Sequence, residues 1–168
     1  MKIKIFFHKD VDTETREIVQ EAIDSTFRLE VEQSDLPIDI NKSYSKSRMQ
    51  YNAEKILEEV MKIANMFLVI VPFDIYVPGL NFVFGVALPQ RGAVIGISRL
   101  RYGVDNIKYA ERLRKTIKHE LGHVFGLSHC RNPCVMRFAN SLYELDEKPS
   151  DFCAKCRNIL RNKINIDR

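Results

Sequence analysis

The order of apolar patterns along this 168-residue chain predicts a single α/β domain whose strands are at least partly parallel. Three observations carry that expectation. The length is that of one domain. The first seventy or so residues read strand, helix, strand, helix, strand. The longest unbroken apolar run, Met66 to Phe73, is far too short to cross a bilayer, so the 45% hydrophobic content serves a core.

Lys2 to Phe7 reads as a buried strand. Thr13 to Phe27 carries Ile18, Val19, Ala22, Ile23 and Phe27 at helical spacing. Arg28 to Glu32 alternates, with Leu29 and Val31 on one face, as a half-buried strand does. The polar stretch from Gln33 to Lys46, with Pro37 and three serines, reads as a loop. A second amphipathic helix runs from about Met49 to Ala64, turning Ala53, Ile56, Leu57, Val60 and Ile63 inward, and leads into an apolar strand over Met66 to Val71. Beyond Pro72 the helical period disappears, and Asn81 to Leu88 and Ala93 to Ser98 read as strands around a turn-like Pro-Gln-Arg-Gly. Asp105 can cap a long helix with Ile107, Ala110, Leu113, Ile117, Leu121 and Val124 on its apolar stripe, and Gly126 is placed to end it. After that helix only Cys153 to about Asn162 reads as helical.

Charge and compartment exclude more than they specify. The net charge is +4, and most of it falls after residue 129, where eight basic residues face five acidic ones. No basic stripe interleaved with aromatics accompanies that tail, so a solvated surface is favoured over a nucleic-acid interface. The N-terminus has no apolar region of signal-peptide length, which predicts a cytoplasmic protein without membrane partners. In a reducing compartment four close cysteines read as metal ligands or redox groups rather than disulfides.

The uneven feature is where the metal-capable residues fall. His119, Glu120, Leu121, Gly122 and His123 form an HExxH sequence within the long helix. Residues four apart share a helix face, so both imidazoles can meet one ion with Glu120 beside them. The bland alternative is a pair of surface histidines. The continuation HELGHVFGLSHC argues against it, because a turn at Gly126 returns His129 as a third ligand. Three neutral imidazoles and an open fourth position describe a catalytic zinc. Such an ion brings the pKa of bound water from 15.7 to about 7, and Glu120 would take the proton as general base while that water attacks a peptide bond.

All four cysteines follow at once: Cys130, Cys134, and Cys153-Ala154-Lys155-Cys156. Two close pairs across a loop suit a tetrahedral Cys₄ zinc site, which a short C-terminal segment with few apolar residues needs as a staple. A redox CxxC is the rival reading. His8, isolated near the first strand, reads as a structural residue.

HExxHxxGxxH followed by a methionine, here Met136, resembles the metzincin pattern. A cysteine next to the third histidine, a second just before Val-Met and a later CxxC narrow the resemblance to the archaemetzincin family. RMQYNAEKILEEV and NFVFGVALPQRGAVIGISRL are similar to it too, so the likeness covers most of the chain. Each cysteine-region spacing, three residues between Cys130 and Cys134 and sixteen between Met136 and Cys153, is one shorter than the family's pattern.

The resemblance implies a metzincin-like fold: a twisted mixed sheet with one antiparallel edge strand, for which Asn81 to Leu88 is the candidate, backing helices and an active-site helix. It implies residues 1–126 as an N-terminal subdomain and 127–168 as a small zinc-stapled C-terminal one, with Met136 as the Met-turn residue beneath the catalytic zinc. Two zinc ions per chain and peptide or protein substrates follow, with aminopeptidase-like or otherwise restricted specificity. Some metzincin branches place a tyrosine two residues after the methionine; here Phe138 stands there, and any assistance from that tyrosine is absent. A non-enzymatic zinc protein and a Cys₄ module contacting nucleic acid are the alternative functions.

Overall fold

In the structure, a computed structural model describing residues 1–164, strand β1 (Lys2–Phe7) buries side chains on both of its faces. Ile3, Ile5 and Phe7 pack on one face of the sheet, whereas Phe6 packs on the other. The same split recurs in β5 (Phe67–Val71), where Leu68 and Ile70 join the first core and Phe67, Val69 and Val71 the second. β5, covered on both faces along its whole length, has no polar side to show, which is why alternation is missing from its sequence.

The main sheet has the order β2-β1-β5-β8-β7, with β2 at Glu30–Asp35, β8 at Gly92–Gly96 and β7 at Gly85–Leu88. Four strands are parallel, and β7 alone runs antiparallel, pairing Val86 with Val94 at the edge. Helices α1 (Thr13–Thr26) and α3 (Asn106–Val124) cover one face and α2 (Ala53–Met61) the other. The mixed sheet and its antiparallel edge follow the expectation, but the edge strand starts at Gly85 rather than Asn81, because Val83 pairs instead with Ile75, outside this sheet.

Several boundaries move for local reasons. β2 starts and ends later than Arg28 to Glu32, since Arg28 sits at φ 51 and the exposed edge extends through Gln33–Asp35, so the expected loop shortens. Helix α2 starts at Ala53 rather than Met49. Met49 turns at φ 56, β4 (Gln50–Asn52) pairs with β3 (Tyr44–Ser45) and β6 (Ile75–Tyr76) in a small second sheet, and the Asn52 side chain caps the helix by accepting from the Glu54 and Lys55 amides. Ile63 and Ile107, expected inside, lie at helix margins and are exposed. Asp74 ties the small sheet to the loop after β8: it accepts from both Arg99 nitrogens at 2.8 and 2.9 Å and from Gln50 at 3.0 Å.

Asp105 caps α3 through the Lys108 amide at 2.9 Å. The helix ends in a Schellman turn: Gly126 at φ 95 donates to His123 O, and Leu127 donates to Gly122 O. The chain then folds back along α3 with α4 (Leu142–Glu147) and α5 (Ala154–Arg161). Buried α3 side chains hold α4: Arg112 makes a two-pronged bond to Asp146 at 2.8 Å, and Lys115 donates to the carbonyls of Leu145 and Asp146. Met136, Leu145, Phe152 and Leu160 join the same core as β1, so the C-terminal segment packs directly on the sheet's helical layer. The end of the expected C-terminal subdomain, residues 165–168, lies outside the described residues.

Candidate active site

His119 and His123 stand one turn apart on α3, and the reversal at Gly126 brings His129 back to them. The ligand atoms of the three rings lie within 4.8 Å of one another. His119 Nδ1 is 2.9 Å from Val135 O, and His123 Nδ1 is 2.8 Å from Leu127 O. A carbonyl oxygen only accepts, so each Nδ1 carries the hydrogen and donates it. That leaves both Nε2 atoms unprotonated, and they face each other at 3.1 Å. Two lone pairs held this close suit a cation between them, and neutral nitrogens are what zinc takes. Burial, then the Lys148 charge, lowers His119 to a pKa of about 3, and burial also lowers His123 and His129, which favours the neutral form of each ring.

Glu120 is buried beside the histidines, against the edge strand. A Cβ added to Gly85 would lie 2.8 Å from its Cγ and 3.0 Å from its Oε1, so β7 carries no side chain where the carboxylate passes. Burial pushes the carboxyl up to about 8, and the Lys148 charge opposes that rise.

These groups open onto a cleft of about 450 Å³. One wall is β7 with the loop before it, where Arg99 stacks over Phe82 at 3.9 Å. The floor is α3, and the far wall carries Phe138, Leu145 and Lys148. Phe138 is half exposed with its ring 5.2 Å from that of His129. Met136 is fully buried beneath the helix: a Cβ on Gly122 would run into its Sδ, so the glycine within HELGH lets this turn approach. His8 stays apart, accepting from the Asp10 amide and packing its ring edge on Phe73.

Sequence reasoning missed Lys148. Its amine lies 3.2 Å from His119 Nδ1 and donates to Arg137 O at 3.1 Å; burial lowers its pKa to about 8, opposed by Glu120. It comes from the turn after α4, and no spacing rule links that turn to HExxH.

The cysteines form a second cluster directly behind His129. Cys130, Cys134, Cys153 and Cys156 are free thiols whose sulfurs lie within 4.8 Å of one another. Cys130 and Cys153 are 3.8 Å apart, about the edge of a tetrahedron with Zn–S bonds of about 2.3 Å. The amides of Met136 and Cys153 both donate to Cys134 Sγ. Burial raises Cys156 and Cys134. It also opposes the fall at Cys153, where the Cys156 amide and neighbouring side chains hold the thiol down to about 6. One thiolate is thus already stabilised within a set that suits a closed metal site.

A helix presenting HExxH beneath a sheet with an antiparallel edge strand, with a third histidine returned by a glycine turn, defines a zinc metallopeptidase. Residues 6–162 match the model of peptidase family M54. The chain is 42% identical over 144 residues to an archaemetzincin of Nanoarchaeum equitans, covering 84% of this chain and 79% of that one. It is 41% identical over 155 residues to one of Archaeoglobus fulgidus, covering 90% and 94%. The crystal structure of the Archaeoglobus fulgidus archaemetzincin complexed with malonate superposes with a TM-score of 0.84 at 39% identity, over 95% of this chain and 99% of that one. That of Methanopyrus kandleri gives 0.83 at 35% identity, over 97% and 94%. The chain belongs to peptidase family M54, the archaemetzincins. Its substrates are peptides or proteins, and among the described residues no helix is long and apolar enough to cross a membrane.

Proposed function

We propose that His119, His123 and His129 hold the catalytic zinc, that Glu120 is the general base, and that Cys130, Cys134, Cys153 and Cys156 hold a second, structural zinc. The observation that carries the first assignment is the pair of unprotonated Nε2 atoms 3.1 Å apart, with both Nδ1 hydrogens committed to carbonyls. Zinc, when bound, supplies Lewis acidity toward a water molecule and the scissile carbonyl. The chain's residues do the rest. Glu120 accepts the proton of the attacking water and returns it to the leaving amine; this requires its ionised form, which burial disfavours and the positive charge of Lys148 and of a bound zinc favours, and a fixed place beside the histidines, which Gly85 and α3 give it. Edge strand β7 offers main-chain groups to an extended peptide. Met136 supports the floor as the Met-turn residue, and the cysteine site anchors residues 127–168 against 1–126.

Specificity is restricted rather than broad. An aminopeptidase needs a carboxylate to hold the substrate's free amine, and Glu120, already assigned to the water, is the only acidic residue lining the cleft among the described residues. Thiols gathered as a ligand set suit a reducing compartment such as the cytoplasm. The test is metal analysis with peptide-library digestion by wild type and Glu120→Gln. Two zinc ions per chain and cleavage only by wild type are expected. One zinc, or equal cleavage by the variant, overturns the division of roles.

A further inference from the structure

Lys148 is 6% exposed and yet lines the cleft. Burying an ammonium is costly unless an anion meets it. The other buried lysine of this layer, Lys115, has Glu111 at 3.5 Å, and Lys118 has Asp151 at 2.8 Å. Lys148 forms no ion pair among the described residues. Its amine has three hydrogens: Arg137 O takes one, and His119 Nδ1 takes none because that nitrogen is itself a donor to Val135 O. Glu120 acts on Lys148 through its field without pairing with it. The rest of the cleft lining is largely apolar, with Phe82, Phe84, Phe138 and Leu145 among it, so apart from the three histidines and Glu120 this ammonium, with donors unspent, is the cleft's only ionisable side chain among the described residues.

We propose that Lys148 is a specificity residue that receives a substrate carboxylate carried by a residue flanking the scissile bond. The amine's position against the His119 ring restricts the carboxylate to that neighbourhood, because a group farther along the peptide would leave the histidines behind. Two sources share this chemistry: an Asp or Glu side chain, and the free α-carboxylate of a peptide cleaved near its C-terminus. The inference rests on the peptidase reading for its reaction but not for its binding.

The experiment uses zinc-loaded full-length protein and peptides that differ only in Glu, Gln or Lys on either side of the cleaved bond, with a matched pair ending in a free or amidated carboxyl group. Cleavage is read as kcat/KM, and equilibrium binding of the same peptides is read on zinc-loaded Glu120→Gln. A preference for Glu over Gln of about tenfold or more identifies the side-chain source, and the same preference for the free over the amidated end identifies the terminal one. Lys148→Met should erase the preference and Lys148→Arg should keep it. Equal rates and affinities for all peptides with wild type and Glu120→Gln overturn the proposal, whether or not Lys148→Met folds. So does a uniform loss in Lys148→Met with the ratio unchanged, which would make Lys148 a support for Glu120 alone. Binding with the acidic preference but no hydrolysis by wild type would support the carboxylate site and overturn the peptidase reading instead.

Discussion

The histidine and cysteine clusters share a peptide bond between His129 and Cys130 but are built on opposite plans. Two of the histidines are fixed by one helix, whose hydrogen bonds hold them four residues apart whether or not an ion is present, and the third stands exposed at the cleft. The cysteines come from two separate segments, a loop at 130–134 and the start of α5 at 153–156. Few bonds other than Val135 N to Asp151 O and Cys153 N to Cys134 Sγ join them. A reactive site needs ligands that keep their geometry while one position exchanges. A staple contributes most where its ligands come from segments that little else joins.

That contrast is broken most directly by substituting one ligand from each set. Cys156→Ser should lose one zinc and destabilise the fold by several kcal/mol, read as a fall in Tm of roughly 10 °C or more, because the metal there contributes folding free energy. His119→Ala should also lose one zinc, abolish cleavage, and melt within a few degrees of wild type. Equal melting of the two variants would sink the division between staple and reactive site. Glu120→Gln sharpens the reactive side alone: hydrolysis should fall by about 10²-fold or more with zinc content and melting unchanged. Gly122→Ala probes the joint between the regions, since its methyl would collide with Met136 Sδ; a loss of about 1–3 kcal/mol in urea unfolding is expected.

The smallest effect concerns the clasp of α4 on α3. Arg112 holds the Asp146 carboxyl below its usual range, so this pair contributes stability that is present above the unfolded pKa of about 3.9 and is lost as pH falls through the lower folded value. Asp146→Asn should cost about 1–2 kcal/mol at pH 7, moderated because Arg112 keeps the Leu100 and Tyr102 carbonyls. The gap between wild type and variant, measured by unfolding at pH 7, 4 and 3, should shrink as the pH drops. A constant gap would assign the loss to packing.

What could be read in advance follows the range of the interactions. HExxH, the Asp105 cap and the Gly126 turn are written in consecutive residues because a helix relates positions four apart, and CxxC is legible for the same reason. Helix α4 carries a local signal too: Ser141 accepts from the Glu144 amide and Glu144 reaches back to the Asn140 amide, a capping arrangement contained within Asn140–Glu144. The small β3-β4-β6 sheet had no such signal, as two- and three-residue strands carry no period. Lys148 was hidden for a deeper reason. Its meaning depends on the absence of an anion around it in space, and a linear sequence does not display which charges go unanswered.

The bare backbone at Gly85 also limits how this enzyme's taste for substrates can be altered. Its missing side chain is room already taken by Glu120, so that rung of β7 is closed to mutation: any bulk there trades reactivity for selectivity. A protein engineer would have to leave this rung untouched and recruit variation from the opposite wall, first at Phe138 and Leu145, whose side chains border the groove and carry no charge that acts on the base.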